Sequence, residues 1–126
     1  MIQKIKVTAN YPNQSINFFA NNQNFTLILR WTGYLNEGDY YDSFLYDYAR
    51  PQFFGSIFLN NVAIIQSTNV INKTPINAYA SAINGYIVAV DISGNNENPS
   101  LDNIGVTVFF YYIDQLSEIN NITASS

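Results

Sequence analysis

The chain has 126 residues, a net charge of −4, and neither Cys nor His. That length suits one domain with a core large enough to fold without a disulfide or a metal ion. The missing residue types exclude thiolate metal sites, cysteine nucleophiles and histidine general bases. Charged residues make up only 11 % of the chain, against about 25 % in a typical globular protein. So little charge favours a protein that associates with others.

Apolar residues alternate with a period of two along most of the chain, which is typical of β-strands. The clearest case is 25–32, where Phe, Leu and Trp alternate with Thr, Ile and Arg. Asn60-Asn61 and Asn84-Gly85 separate apolar runs and predict tight turns, because Asn and Gly tolerate a positive φ. The predicted strands, in chain order, cover residues 4–8, 15–20, 25–32, 40–48, 53–59, 62–67, 86–92 and 106–113.

Three segments between and after these strands lack the alternation. Residues 68–82 contain Pro75 and small residues, and we interpret them as a long connection with one irregular strand. Residues 93–99 form an Asn-rich loop, and 100–105 predict one helical turn ended by glycine. Residues 114–126 show no clear periodicity and are predicted to be a C-terminal tail.

The last predicted strand, 106–113, is apolar on both faces. Such a strand must be covered on both sides by its own chain or present one side to a partner. About seven short strands joined by turns predict an all-β fold, a small single-domain antiparallel β-barrel or sandwich over residues 1–113.

The remaining polar residues offer little chemistry. Asp39, Asp42 and Asp47 are close in sequence, but on a strand Asp42 points away from the other two, which argues against a pair of catalytic carboxylates. The loop 91–98 is rich in oxygen ligands and raises a calcium hypothesis, although its spacing does not match an EF-hand. We therefore predict no enzyme, no cofactor and no metal, and leave ion binding by the loop open.

Aromatic side chains are the candidates for contact with other proteins, because they offer a broad contact area. Ten Tyr and nine Phe are present. The same aromatics also suit the core of a small β-domain, and under that interpretation Phe44 and Tyr46 belong to the core. We select as contact residues Tyr41, Tyr48, Phe53, Phe109, Tyr111 and Ile113.

The chain contains, in this order, the segments 12–14 (PNQ), 27–31 (LILRW), 40–47 (YYDSFLYD), 85–94 (GYIVAVDISG) and 101–105 (LDNIG). This ordered set resembles the phage baseplate plug family, small virion proteins of contractile-tailed phages. The family usually has glycine at the central hairpin, where this chain has Asn60-Asn61, which can serve the same turn. The resemblance spans about residues 3–113.

The resemblance implies a structural component of the tail baseplate near the central hub and spike. It implies contacts with hub, spike, tube or tape-measure proteins, several copies in the assembly, and a virion protein made in the host cytoplasm. The five basic residues are scattered and no long apolar run occurs, so neither a nucleic acid nor a membrane is expected as a partner. The alternative is a carbohydrate-binding β-sandwich for host attachment.

Overall fold

The computed structural model describes residues 1–32 and 52–126 of the chain. The predicted strand 40–48, with Tyr41 and Tyr48, lies outside the described residues. Within them, seven strands form two antiparallel sheets. The strands are β1 (Ile2–Ile5), β2 (Asn13–Ala20), β3 (Gln23–Trp31), β4 (Phe53–Leu59), β5 (Val62–Asn69), β6 (Tyr86–Asp91) and β7 (Val108–Ile113).

The larger sheet has the strand order β2-β3-β4-β5. Two of its connections are two-residue Asn turns. Asn21 and Asn22 have φ values of 50° and 60°, and Asn60 and Asn61 have 50° and 66°. Positive φ at both central residues gives the turn a twist that matches paired strands. The turn predicted at Asn60-Asn61 is confirmed.

The smaller sheet has the order β1-β7-β6, so the last strand lies between the first strand and β6. Ile2 pairs with Ile113 and Ile5 with Phe110, which are contacts between the two ends of the chain. Local sequence patterns do not specify such distant pairing. β1 also begins earlier and ends earlier than the predicted 4–8, because its pairing with β7 stops at Ile5.

The two sheets face each other across one core. Phe25, Leu27 and Leu29 from β3 meet Phe110 and Tyr112 from β7 in a single buried cluster, and the rings of Phe25 and Tyr112 are 5.5 Å apart. The predicted antiparallel all-β fold is confirmed. The arrangement fits a sandwich, since no strand pairing within residues 1–32 and 52–126 closes the sheets into a barrel.

The connection from β5 to β6 differs from the prediction, because residues 70–85 contain no strand. Val70, Ile76 and Ile83 of this connection fill the core instead. Asn77 replaces a strand partner for β6: its Oδ1 accepts from the Ile87 amide at 3.1 Å, and its Nδ2 donates to the Gly85 carbonyl at 2.9 Å. Together with the backbone amides of Lys73 and Ile76, which donate to the Ala89 and Ile87 carbonyls at 2.8 Å, Asn77 satisfies the free edge of the sheet, which would otherwise be open to a further strand.

β7 is covered on both faces by its own chain. One face lies in the common core, and the other packs in a second cluster with β6 and Ile122. Residues Leu116–Asn121, within the predicted tail, form a 3₁₀ helix whose start is stabilised by a capping box between Gln115 and Glu118. Both apolar faces of β7 are therefore covered by the chain itself, and neither is left for a partner in this structure.

Candidate protein-contact surfaces

The outward side of the larger sheet, which we call the open face, has one charged side chain among residues 1–32 and 52–126. Strand pairing places Thr26 beside Phe58, and Phe58 beside Ala63, on this side. Every side chain of the face is at least partly exposed, and Arg30 is the only charged one among them. The open face comprises Asn13, Ser15, Asn17, Phe19, Asn24, Thr26, Ile28, Arg30, Phe54, Ser56, Phe58 and Ala63.

A groove of about 580 Å³ lies at one end of the open face, beside the two Asn turns. Phe19 is 58 % exposed there, and the amides of Asn17, Asn24, Asn60 and Asn61 line the groove with it. We call it the Asn groove. It combines an exposed ring with neutral hydrogen-bonding groups.

The outward side of the smaller sheet, by contrast, is covered. Val88, Val90, Tyr111 and Ile113 point to this side and are at most 2 % exposed, and we call them the covered face. Ile119 and Ile122 pack against them, so we call residues 116–122 the cover segment. At the margin, the Lys4 ammonium lies 3.8 Å from the centre of the Phe109 ring, a favourable cation–π contact.

Tyr111 and Tyr112, neighbours on β7, have opposite hydrogen-bonding states. The Tyr112 hydroxyl donates to the carbonyls of Ile83 and Asn84, at 3.0 and 2.8 Å. The Tyr111 hydroxyl is buried under the cover segment and has no hydrogen-bond partner among the residues that the structure describes. Loss of water around it raises the pKa of Tyr111.

An open groove of about 430 Å³ adjoins the covered face, and we call it the side groove. Its lining is almost wholly apolar, and Tyr86 belongs both to this groove and to the cluster around the covered face. The groove thus continues the apolar surface to the start of the cover segment. It is lined by the apolar residues Ile65, Pro75, Ile76, Ala78, Tyr86 and Leu116 together with Thr68, Thr74 and Asn77.

The loop 91–98 is organised by a carboxylate that already has partners. The oxygens of Asp91 accept from the amide and hydroxyl of Ser93, at 2.9 and 2.6 Å, and from the Glu97 amide at 2.9 Å. Burial alone would raise the pKa of Asp91, but these hydrogen bonds outweigh it, and the pKa is lowered. Within residues 1–32 and 52–126, no three acidic side chains lie together as metal ligands would. Hydrogen bonds to Asp91 therefore hold the loop in its conformation.

The contact residues predicted from sequence lie in different places. Phe53, Tyr111 and Ile113 have no exposed surface in the chain, because the common core encloses the first and the cover segment encloses the other two. Phe109 is half-buried under Lys4. Phe19, Phe54 and Phe58, which lie on the open face, were not among the residues selected from the sequence. Their signal was the alternation itself, which places Phe54 and Phe58 opposite the core side of β4.

The open face thus carries aromatic rings and, among the described residues, one charged side chain, Arg30. The chain matches the family described as "Cyanophage baseplate Pam3 plug gp18" over residues 2–115. The chain therefore belongs to this phage baseplate plug family, and the predicted resemblance is confirmed. Membership supports a structural role in the baseplate of a phage tail. A comparison with curated proteins found no match. No helix among the described residues is long and apolar enough to cross a membrane.

Proposed function

We propose that the protein is a structural, non-enzymatic component of a contractile phage tail baseplate. In this proposal several copies sit in a plug-like position near the central hub and spike. Each copy acts through contacts with neighbouring tail proteins.

The open face carries the proposal. Phe54, Phe58 and Ile28 are half-buried on a four-stranded surface whose one charge among the described residues is Arg30. The cores of protein interfaces are depleted in charge and enriched in aromatic side chains. A neighbour that packs a flat apolar surface on this sheet would bury those rings, which suits a permanent assembly better than a transient encounter.

A charge placed in the open face tests this role. Ala63 is exposed beside Phe58, so Ala63→Lys adds a charge without removing packing inside the chain. Infected cells would supply wild-type and variant chains in equal amounts, and mass spectrometry of purified tails would give their ratio. We expect the variant to be depleted at least about 10-fold, since a buried unpaired charge is strongly unfavourable at an interface.

Asn95→Lys is the matched control, because Asn95 lies in the exposed loop 91–98. It should enter tails as well as wild type does. Phe58→Lys is a second variant in the open face, and thermal unfolding would verify that each variant is folded. Normal incorporation of both open-face variants would show that this face is not the contact surface.

The Asn groove favours a second candidate function, binding of a neutral carbohydrate. An exposed ring such as Phe19 can stack on a sugar, and amide groups can hydrogen-bond its hydroxyls. A glycan array with the full chain separates the candidates. Binding that Phe19→Ala abolishes, together with absence of the chain from tails, would favour this function over the first.

A further inference from the structure

The cover segment is held on the covered face by apolar packing, and an ion pair between Glu118 and the Met1 ammonium fixes it to the start of the chain. Its hydrogen bonds within the described residues run to Met1, Asp114 and Gln115 or stay inside the segment, and none reaches β6 or β7. Ile119 and Ile122 supply the packing. A short 3₁₀ helix has little stability of its own. The segment can therefore leave the sheet without breaking any strand pairing.

Tyr111 shows that the cover segment is an imperfect occupant of this face. Its hydroxyl is enclosed without a hydrogen-bond partner. A buried polar group without a partner is unfavourable, and most native structures avoid it. An occupant with a carbonyl in the right place would satisfy this donor, and the cover segment does not.

The side groove gives another segment a place to begin. It is already open, and Tyr86 joins it to the covered face while Leu116, the first residue of the cover segment, forms part of its wall. An apolar segment lying in the groove would meet the cover segment at its N-terminal end. The side groove, which is open, and the covered face, which the cover segment occupies, thus form one continuous and mainly apolar surface.

The family match includes the covered face but not the cover segment. The match ends at residue 115, so β6 and β7 lie inside the shared pattern and the cover segment lies outside it. We propose that the side groove and the covered face together form a docking site for an apolar segment of a neighbouring baseplate protein. That segment displaces residues 116–122 and offers a backbone carbonyl to the Tyr111 hydroxyl. The inference rests on the proposed baseplate role, and its test keeps the two apart.

The first part of the test compares Tyr111→Phe with Tyr112→Phe in full chains supplied together with wild type. Each variant loses one hydroxyl from β7, but only Tyr111 belongs to the covered face. We expect Tyr111→Phe to be depleted about 5-fold in tails, the size of one lost hydrogen bond, although its free chain should be more stable than wild type. Tyr112→Phe should enter tails in proportion to its folded fraction. Equal incorporation of Tyr111→Phe and wild type would overturn the proposal.

The second part measures amide hydrogen exchange of the full chain, free and in purified tails. Peptides from 116–122 should exchange at least about 10-fold faster in tails, while β6 and β7 stay protected. A cover segment equally protected in both states would overturn the docking site and leave the baseplate role intact. Absence of the chain from purified tails would instead refute the proposed function, and the docking site would fail with it.

Discussion

Replacing each of the two adjacent tyrosines of β7 with Phe should change stability in opposite directions. Tyr112→Phe removes a hydroxyl bonded to the carbonyls of Ile83 and Asn84. The Ile83 carbonyl still accepts a hydrogen bond from the Gln23 side-chain amide at 2.9 Å. The free energy of unfolding should therefore fall by an amount near the lower end for a buried hydrogen bond, about 1 kcal/mol. Tyr111→Phe removes a hydroxyl that has no partner, which relieves a desolvation cost and should stabilise the chain by about 1 kcal/mol.

The two variants should therefore differ by about 2 kcal/mol in the free energy of unfolding, or about 8 °C in Tm for a domain of this size. Urea denaturation can be followed by the fluorescence of Trp31, the only Trp, which lies 4.9 Å from the Phe53 ring. Tyr79→Phe is the control, because Tyr79 is 78 % exposed and should change nothing. If Tyr111→Phe destabilises the chain as much as Tyr112→Phe does, the Tyr111 hydroxyl has a partner and the reasoning is wrong.

Two further predictions concern the turns and the acid side of the stability profile. Gly85→Ala should lower the free energy of unfolding by more than about 2 kcal/mol, because its Cβ would lie 2.5 Å from the Ile113 carbonyl oxygen. Gly94→Ala, with open space but φ of +87°, should cost only about 1 kcal/mol, and equal urea midpoints would contradict this. Burial acts to raise the pKa values of Asp91 and Glu118, but hydrogen bonds outweigh it and both are lowered from 3.8 and 4.5. Their stabilisation is present above those values and lost as pH falls through the folded-state values, so the urea midpoint should drop on acidification. Asp91→Asn with Glu118→Gln should flatten that drop, and an unchanged slope would contradict it.

The strands with strong alternation were predictable because each residue's face depends only on its neighbours. β4 has the predicted bounds 53–59. The face shared by Tyr86, Val88 and Val90 is confirmed by their common cluster. Asn60 and Asn61 adopt the positive φ that their residue type tolerates.

What the sequence did not indicate depends on contacts between distant parts of the chain. Asn77 looks like any loop residue until β6 lies beside it and needs a partner for its free edge. Ile119 and Ile122 are three residues apart, the period of a 3₁₀ helix, but two residues are too few to define a period. Their packing against β6 and β7 then explains why the last strand has two apolar faces. The apolar character of β7 was read correctly, but its cover comes from the same chain.

A density map of the intact phage tail tests the central claim most directly. The account predicts that the chain lies in the baseplate near the hub and spike, with Phe54 and Phe58 packed against a neighbouring protein. A chain absent from the baseplate, or present with its open face entirely in solvent, would contradict it.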